Sequence, residues 1–183
     1  MFETLTIPDV VLIKPRRVGD ARGWFSETYR ADAYAAAGIG DKFVQENHSR
    51  STGKDTIRGL HFQIAPNAQA KLVRCTRGSI LDVAVDLRRG SPTFGQYVSA
   101  RLSAENGHQV YLPQGFAHGF CTLSEDVEVQ YKVSAYYAPE DERGIAWDDP
   151  LLNIDWGLDG RGPILSEKDS ALPSLKDLPD IFD

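Results

Sequence analysis

The 183-residue chain has two cysteines, one methionine and no excess of basic residues. Each shortage excludes something. Cys75 and Cys121 form no C-x-x-C pair and sit in apolar, strand-like frames, so they read as free buried thiols rather than a disulfide framework. A reducing cytoplasm is the compartment that fits. Lysine and arginine number 20 against 26 aspartates and glutamates, a formal charge of -6. Nucleic-acid and membrane-surface binders need a broad basic face, so neither class is expected, and an anionic small ligand would have to be met by a local basic pocket. No apolar run approaches transmembrane length, and the start, Met1-Phe2-Glu3-Thr4-Leu5-Thr6-Ile7-Pro8-Asp9, lacks the basic and apolar regions of an export signal. Internal repeats, low-complexity stretches and linkers are missing too. With 42% hydrophobic residues, one core spanning residues 1–183 is expected.

What is present is short alternation. Leu81, Val83, Val85 and Leu87 alternate with Asp82, Ala84, Asp86 and Arg88, the pattern of a half-buried strand, and Arg77-Gly78-Ser79 before it reads as a hairpin turn. Further extended runs cover Gln96 to Leu102, His108 to Leu112, Ala117 to Leu123 and Val127 to Val133, separated by clusters of turn formers. Short strands at this spacing predict an all-β sandwich or barrel. Helix signals are few: Ala31 to Ala37 stops at Gly38, and Ser166-Glu167-Lys168-Asp169 looks like a capped first turn.

Within Arg58-Gly59-Leu60-His61-Phe62-Gln63, strand alternation puts Leu60 and Phe62 on one side and turns His61 to the other, into whatever the sheet encloses. A titratable imidazole near the cations Arg58 and Lys71 can serve as a base, although a core histidine held by hydrogen bonds fits the same pattern. Tyr131 shares a face with Val127, Val129 and Val133, so its hydroxyl enters the interior, either as a satisfied core tyrosine or as an acid opposite a base. Asp169 is a first-turn carboxylate or an orienter of the imidazole. His118 lies between Gly115 and Gly119, with Phe116 and Phe120 as apolar walls. Among His48, His61, His108 and His118 there is no H-x-H and no H-E-x-x-H, so no metal is expected.

Taken together and in order, Gly19-Asp20-Ala21-Arg22-Gly23, Arg58-Gly59-Leu60-His61-Phe62-Gln63, Asp82-Val83-Ala84-Val85-Asp86-Leu87-Arg88, Ser91-Pro92-Thr93-Phe94-Gly95, Gly115-Phe116-Ala117-His118-Gly119-Phe120 and Leu165-Ser166-Glu167-Lys168-Asp169 are specific. From about Ile7 to Asp169 the chain resembles the dTDP-4-dehydrorhamnose 3,5-epimerases. That resemblance implies a cupin-like jelly roll, a homodimer, and catalysis without metal or organic cofactor. The implied substrate is dTDP-4-dehydro-6-deoxy-D-glucose. It implies His61 as base, Asp169 as its partner, Tyr131 as acid on the opposite side and Lys71 as the cation beside the substrate carbonyl. Positions matching the family's ligand residues are Arg22, Glu27, Gln45, Asn47, Arg58, Lys71, His118, Glu142 and Lys168. Rival readings are an epimerase acting at one carbon or a ketoisomerase on the same nucleotide sugar, and a non-catalytic sugar-nucleotide binder. Residues Met1 to Lys14 are the segment expected to cross to a partner subunit.

Overall fold

The computed structural model describes residues 1–160, 162–179 and 182. Four short strands open the chain: β1 (Phe2–Thr4), β2 (Val11–Ile13), and the hairpin of β3 (Val18–Asp20) with β4 (Gly23–Phe25). The helix α1 (Ala31–Ala36) follows and ends as expected near Gly38, whose φ of 87° is left-handed. Then come β5 (Gln45–Thr52), β6 (Ile57–Gln63), β7 (Lys71–Arg77) and β8 (Ser79–Asp86). After these lie β9 (Tyr97–Ser103), β10 (Gln109–Leu112), β11 (Phe116–Thr122), β12 (Asp126–Val133) and β13 (Glu142–Gly144). A one-turn helix, α2 (Glu167–Ser170), is capped by the Ser166 hydroxyl, which accepts from the Asp169 amide.

Two antiparallel sheets face each other as a jelly-roll sandwich, the all-β class expected. The larger has the order β1-β2-β10-β7-β12-β5 and the smaller β13-β6-β11-β8-β9. Between them the core is built by Val73, Cys75, Val110, Leu112, Val127 and Val129 from one side and Ile80, Ala84, Leu102, Phe116 and Phe120 from the other. Residues Met1 to Lys14 run along the edge of the larger sheet, with β1 on β2 and β2 on β10, and leave β1 as its exposed outer strand.

Two expectations are corrected by this topology. Arg77-Gly78-Ser79 is not a hairpin turn but the corner where the chain leaves β7 in the larger sheet for β8 in the smaller. Gly78 has a φ of 71°, and a Cβ there would meet the Asp126 carbonyl and the Ser124 hydroxyl at 2.5 Å, so the corner is wedged under the connection between β11 and β12. Strand β8 is also not half-buried. Val83, Val85 and Leu87 are covered by Ile145, Leu152 and Trp156 from the C-terminal segment, while the face carrying Asp82 and Ala84 looks into the sandwich. Asp82 and Asp86 are 2% and 0% exposed, so the polar side of the alternation marks buried, partnered carboxylates rather than solvent. Asp86 accepts from Arg88, Ser91 and Thr93, and these bonds outweigh burial and hold its carboxyl down at about 2.

Candidate active site

A cavity of about 500 Å³ is lined from both sheets and from α2. Its first wall depends on a bulge in β6. Opposite β11, His61 pairs with His118 and Arg58 with Phe120, so β6 spends three steps where β11 spends two. Gly59 sits in this bulge with a φ of 114°, and a Cβ would meet the His118 carbonyl at 2.6 Å. Arg58 and His61, which an unbroken strand would point to opposite faces, therefore both reach the cavity. Leu60 and Phe62 pack in the layer beneath the C-terminal segment, as alternation predicts, although Phe62 also borders the cavity.

His61 Nε2 lies 2.7 Å from Asp169 Oδ1. Burial pushes the Asp169 carboxyl up, but the bond and charge of His61, the Ser166 hydroxyl and the Gly59 amide outweigh it and hold it below the usual carboxylate range. Beside them His118 Nε2 lies 2.8 Å from Asp82 Oδ2, both groups buried. Lys71, 6% exposed, donates from Nζ to the His61 carbonyl at 3.3 Å. Burial pushes its ammonium down to about 8, against the pull of Asp82 and Glu142.

The facing wall belongs to the larger sheet. Tyr131 projects from β12 opposite Asn47 of β5, and burial raises its hydroxyl although a hydrogen bond with Asn47 pulls it down. Gln45, Asn47 and Ser49 line the cavity together because they alternate on β5, while His48 turns outward to Glu128 at 3.0 Å. At the rim Glu142 accepts from Tyr137 at 2.8 Å and from Lys168 at 2.6 Å. Burial raises the Glu142 carboxyl, but those two bonds outweigh it and leave it lowered, and the same contact with Glu142 raises Lys168. Among the described residues no three histidine, cysteine, aspartate or glutamate side chains converge on one point.

Ten of the residues named from sequence thus line one cavity: Gln45, Asn47, Arg58, His61, Lys71, His118, Tyr131, Glu142, Lys168 and Asp169. Arg22 and Glu27 do not. Arg22 lies in the turn between β3 and β4, its side chain 89% exposed and paired with Asp20, and Glu27 follows β4 and pairs with Arg30 at 3.5 Å. Missed from sequence were Ser49, Gln69, Tyr137 and Asp82. Ser49 was readable from the alternation with Gln45 and Asn47, whereas Gln69 and Tyr137 come from irregular segments that carry no periodic signal.

The geometry sets an imidazole backed by a carboxylate against a buried phenol, with an ammonium that donates to the histidine's own backbone carbonyl. A family model for dTDP-4-dehydrorhamnose 3,5-epimerase matches residues 4–177. The chain belongs to this epimerase family. It is 58% identical over 166 residues, 90% of each chain, to the dTDP-4-dehydrorhamnose 3,5-epimerase of Pseudomonas aeruginosa. Its fold matches the crystal structure of the Legionella pneumophila dTDP-6-deoxy-D-glucose-3,5-epimerase in complex with dTDP-4-keto-L-rhamnose. That match has a TM-score of 0.93 and 46% identity, covering 98% of this chain and 94% of that one. A 3'-monoepimerase from Streptomyces bikiniensis, in complex with dTDP-quinovose, matches with a TM-score of 0.87 and 35% identity over 94% of this chain and 87% of that one.

Proposed function

We propose that this chain converts dTDP-4-dehydro-6-deoxy-D-glucose to dTDP-4-dehydro-L-rhamnose by inverting C3 and C5. The observation that carries the reading is that His61 and Tyr131 come from opposite sheets onto one cavity. Both carbons neighbour the C4 ketone, so removing either proton gives an enolate with its charge on O4. Inversion requires the proton to leave from one face and return to the other, which two groups on facing walls achieve. His61 takes the proton, and Asp169 fixes the imidazole tautomer and stabilises the imidazolium. Tyr131 returns a proton from the far side. The Lys71 ammonium stabilises the oxyanion in a dry site, where such a charge contributes several kcal/mol.

Gln45, Asn47, Arg58, His118, Glu142 and Lys168 are assigned to holding the nucleotide sugar. No metal or organic cofactor enters the scheme. Arg22 and Glu27 keep a ligand role only if a second copy brings them to this cavity, and we assign the chain a homodimeric state on that ground. The exposed edge of β1 and the exposed Trp24 and Phe25 of β4 support it. The two buried free thiols support a cytoplasmic location.

The test is incubation with the substrate in deuterated water. Deuterium at both C3 and C5 in a rhamno-configured product is expected. Label at one carbon alone would instead assign the chain to the monoepimerases, a reading supported by the 35% identical Streptomyces structure but opposed by the higher identity to 3,5-epimerases. Binding without label would leave a sugar-nucleotide binder.

A further inference from the structure

A second cavity, of about 290 Å³, lies on the outward face of the larger sheet and shares no lining residue with the first. Cross-strand register builds its floor. Arg74 on β7 is flanked by Gln109 on β10 and Gln130 on β12, and in the next row Leu72 neighbours Lys132, which neighbours Glu46 on β5. Val73 and Cys75 point into the core, so Arg74 points out, beneath the segment at Thr28 and Tyr29 that precedes α1.

Most polar groups here have partners. Gln109 is buried and donates to the Thr28 carbonyl at 2.7 Å, and Lys132 pairs with Glu46 at 3.0 Å. Arg74 differs. It is half-buried, and both Nε and Nη2 donate to a single amide oxygen, Gln130 Oε1, at 3.1 and 2.5 Å. Among the described residues no carboxylate lies within ion-pair distance of it, and Nη1 has no side-chain or carbonyl acceptor. Two cations against one carboxylate leave the cavity positive in a chain whose net charge is -6. A guanidinium withdrawn from water with a neutral partner favours an anion that can take its remaining donors in a fork.

We propose that this cavity binds a small oxyanion, a phosphate or a carboxylate, through Nη1 of Arg74, with Gln130 Nε2 as second donor and Lys132 as second charge. The test titrates inorganic phosphate and, separately, malonate into the protein by calorimetry and thermal denaturation, comparing wild type with Arg74→Gln and Gln130→Glu. Gln130→Glu keeps every packing contact of Arg74 but hands it an internal carboxylate. The expected result is a saturable rise in Tm for wild type, an affinity at least about tenfold weaker in both variants, and a higher anion-free Tm for Gln130→Glu. Basal turnover stays unchanged. Response to phosphate alone or to malonate alone supports the site and names the ligand class. Equal anion binding in wild type and both variants overturns the proposal, as does loss of self-association in Arg74→Gln with no anion response in wild type, which would give Arg74 a carboxylate from a second copy.

Discussion

Two histidine–carboxylate pairs stand side by side on the smaller sheet and differ in what holds them. His118 and Asp82 sit on the neighbouring strands β11 and β8, with side chains 8% and 1% exposed, locked within a single sheet. His61 reaches out of its sheet to Asp169 on the one-turn helix α2, with 26% of its side chain exposed against 6% for the carboxylate. Bond lengths of 2.8 and 2.7 Å do not separate them. Placement does: an imidazole that must gain and lose a proton needs access to the cavity, while a buried one in a fixed lattice is suited to presenting a hydrogen bond of constant geometry. Residue type alone does not assign a role, and the surrounding elements do.

Breaking the His61–Asp169 pair should have the largest effect. His61→Asn keeps a hydrogen-bonding side chain but no base, and kcat should fall about 10⁴-fold with solvent deuterium exchange at C3 and C5 abolished. Exchange at the wild-type rate would remove His61 from the chemistry. Asp169→Asn keeps the base but withdraws the charge that sets its tautomer, so a fall on the order of 10²-fold in kcat with little change in KM is expected. A change confined to KM would make Asp169 a packing residue of α2.

Lys71 bears on both pairs, since it donates to the His61 carbonyl and feels the charge of Asp82. Lys71→Met should lower kcat about 10²-fold through loss of the oxyanion partner. Its pKa of about 8 predicts that kcat/KM of the wild type declines on the alkaline side near pH 8, and Lys71→Arg should move that decline out of range. Stability has the opposite sign. Between about 8 and 10.5 the unfolded chain holds a proton that the folded chain has released, so stability rises with pH through that window. Below it both states are charged and the burial cost is fully present, so Lys71→Met should be the more stable protein there, by up to about 3 kcal/mol at 1.36 kcal/mol per unit. Denaturant midpoints that do not separate with pH would remove this cost.

Period-two alternation reports which way a side chain points but not what covers it. It therefore aimed Tyr131 into the interior and His61 away from Leu60, whereas Gln45 and Asn47, which line the same cavity, were named by the family pattern alone. It misjudged Asp82, because the apolar side of β8 is sealed by residues 145–156, far along the chain, and the polar side then has to face inward. Nor could it align Arg58 with His61, since that depends on one extra residue at Gly59 and on how close β11 passes. The cap at Ser166 was readable because it is local. Arg22 and Glu27 match the family pattern, yet they lie on, and just after, a hairpin that this chain does not fold over its own cavity.

The smallest effect sharpens the comparison most. Asp82→Asn leaves every reacting group in place and removes only the charge behind His118, so a KM increase of about tenfold is expected, the value of one charged hydrogen bond. A merely structural role would predict the same loss. What distinguishes the two is Lys71: Asp82 is the leading charge that keeps its ammonium from falling further, ahead of Glu142. With Asp82 neutral, the alkaline decline in kcat/KM should move to lower pH than in wild type, and the double variant with Lys71→Arg should lose that displacement. If the decline stays where it was, Asp82 serves His118 alone and the two pairs are electrostatically independent. If it moves, the buried pair sets the charge on which the exposed pair's reaction depends.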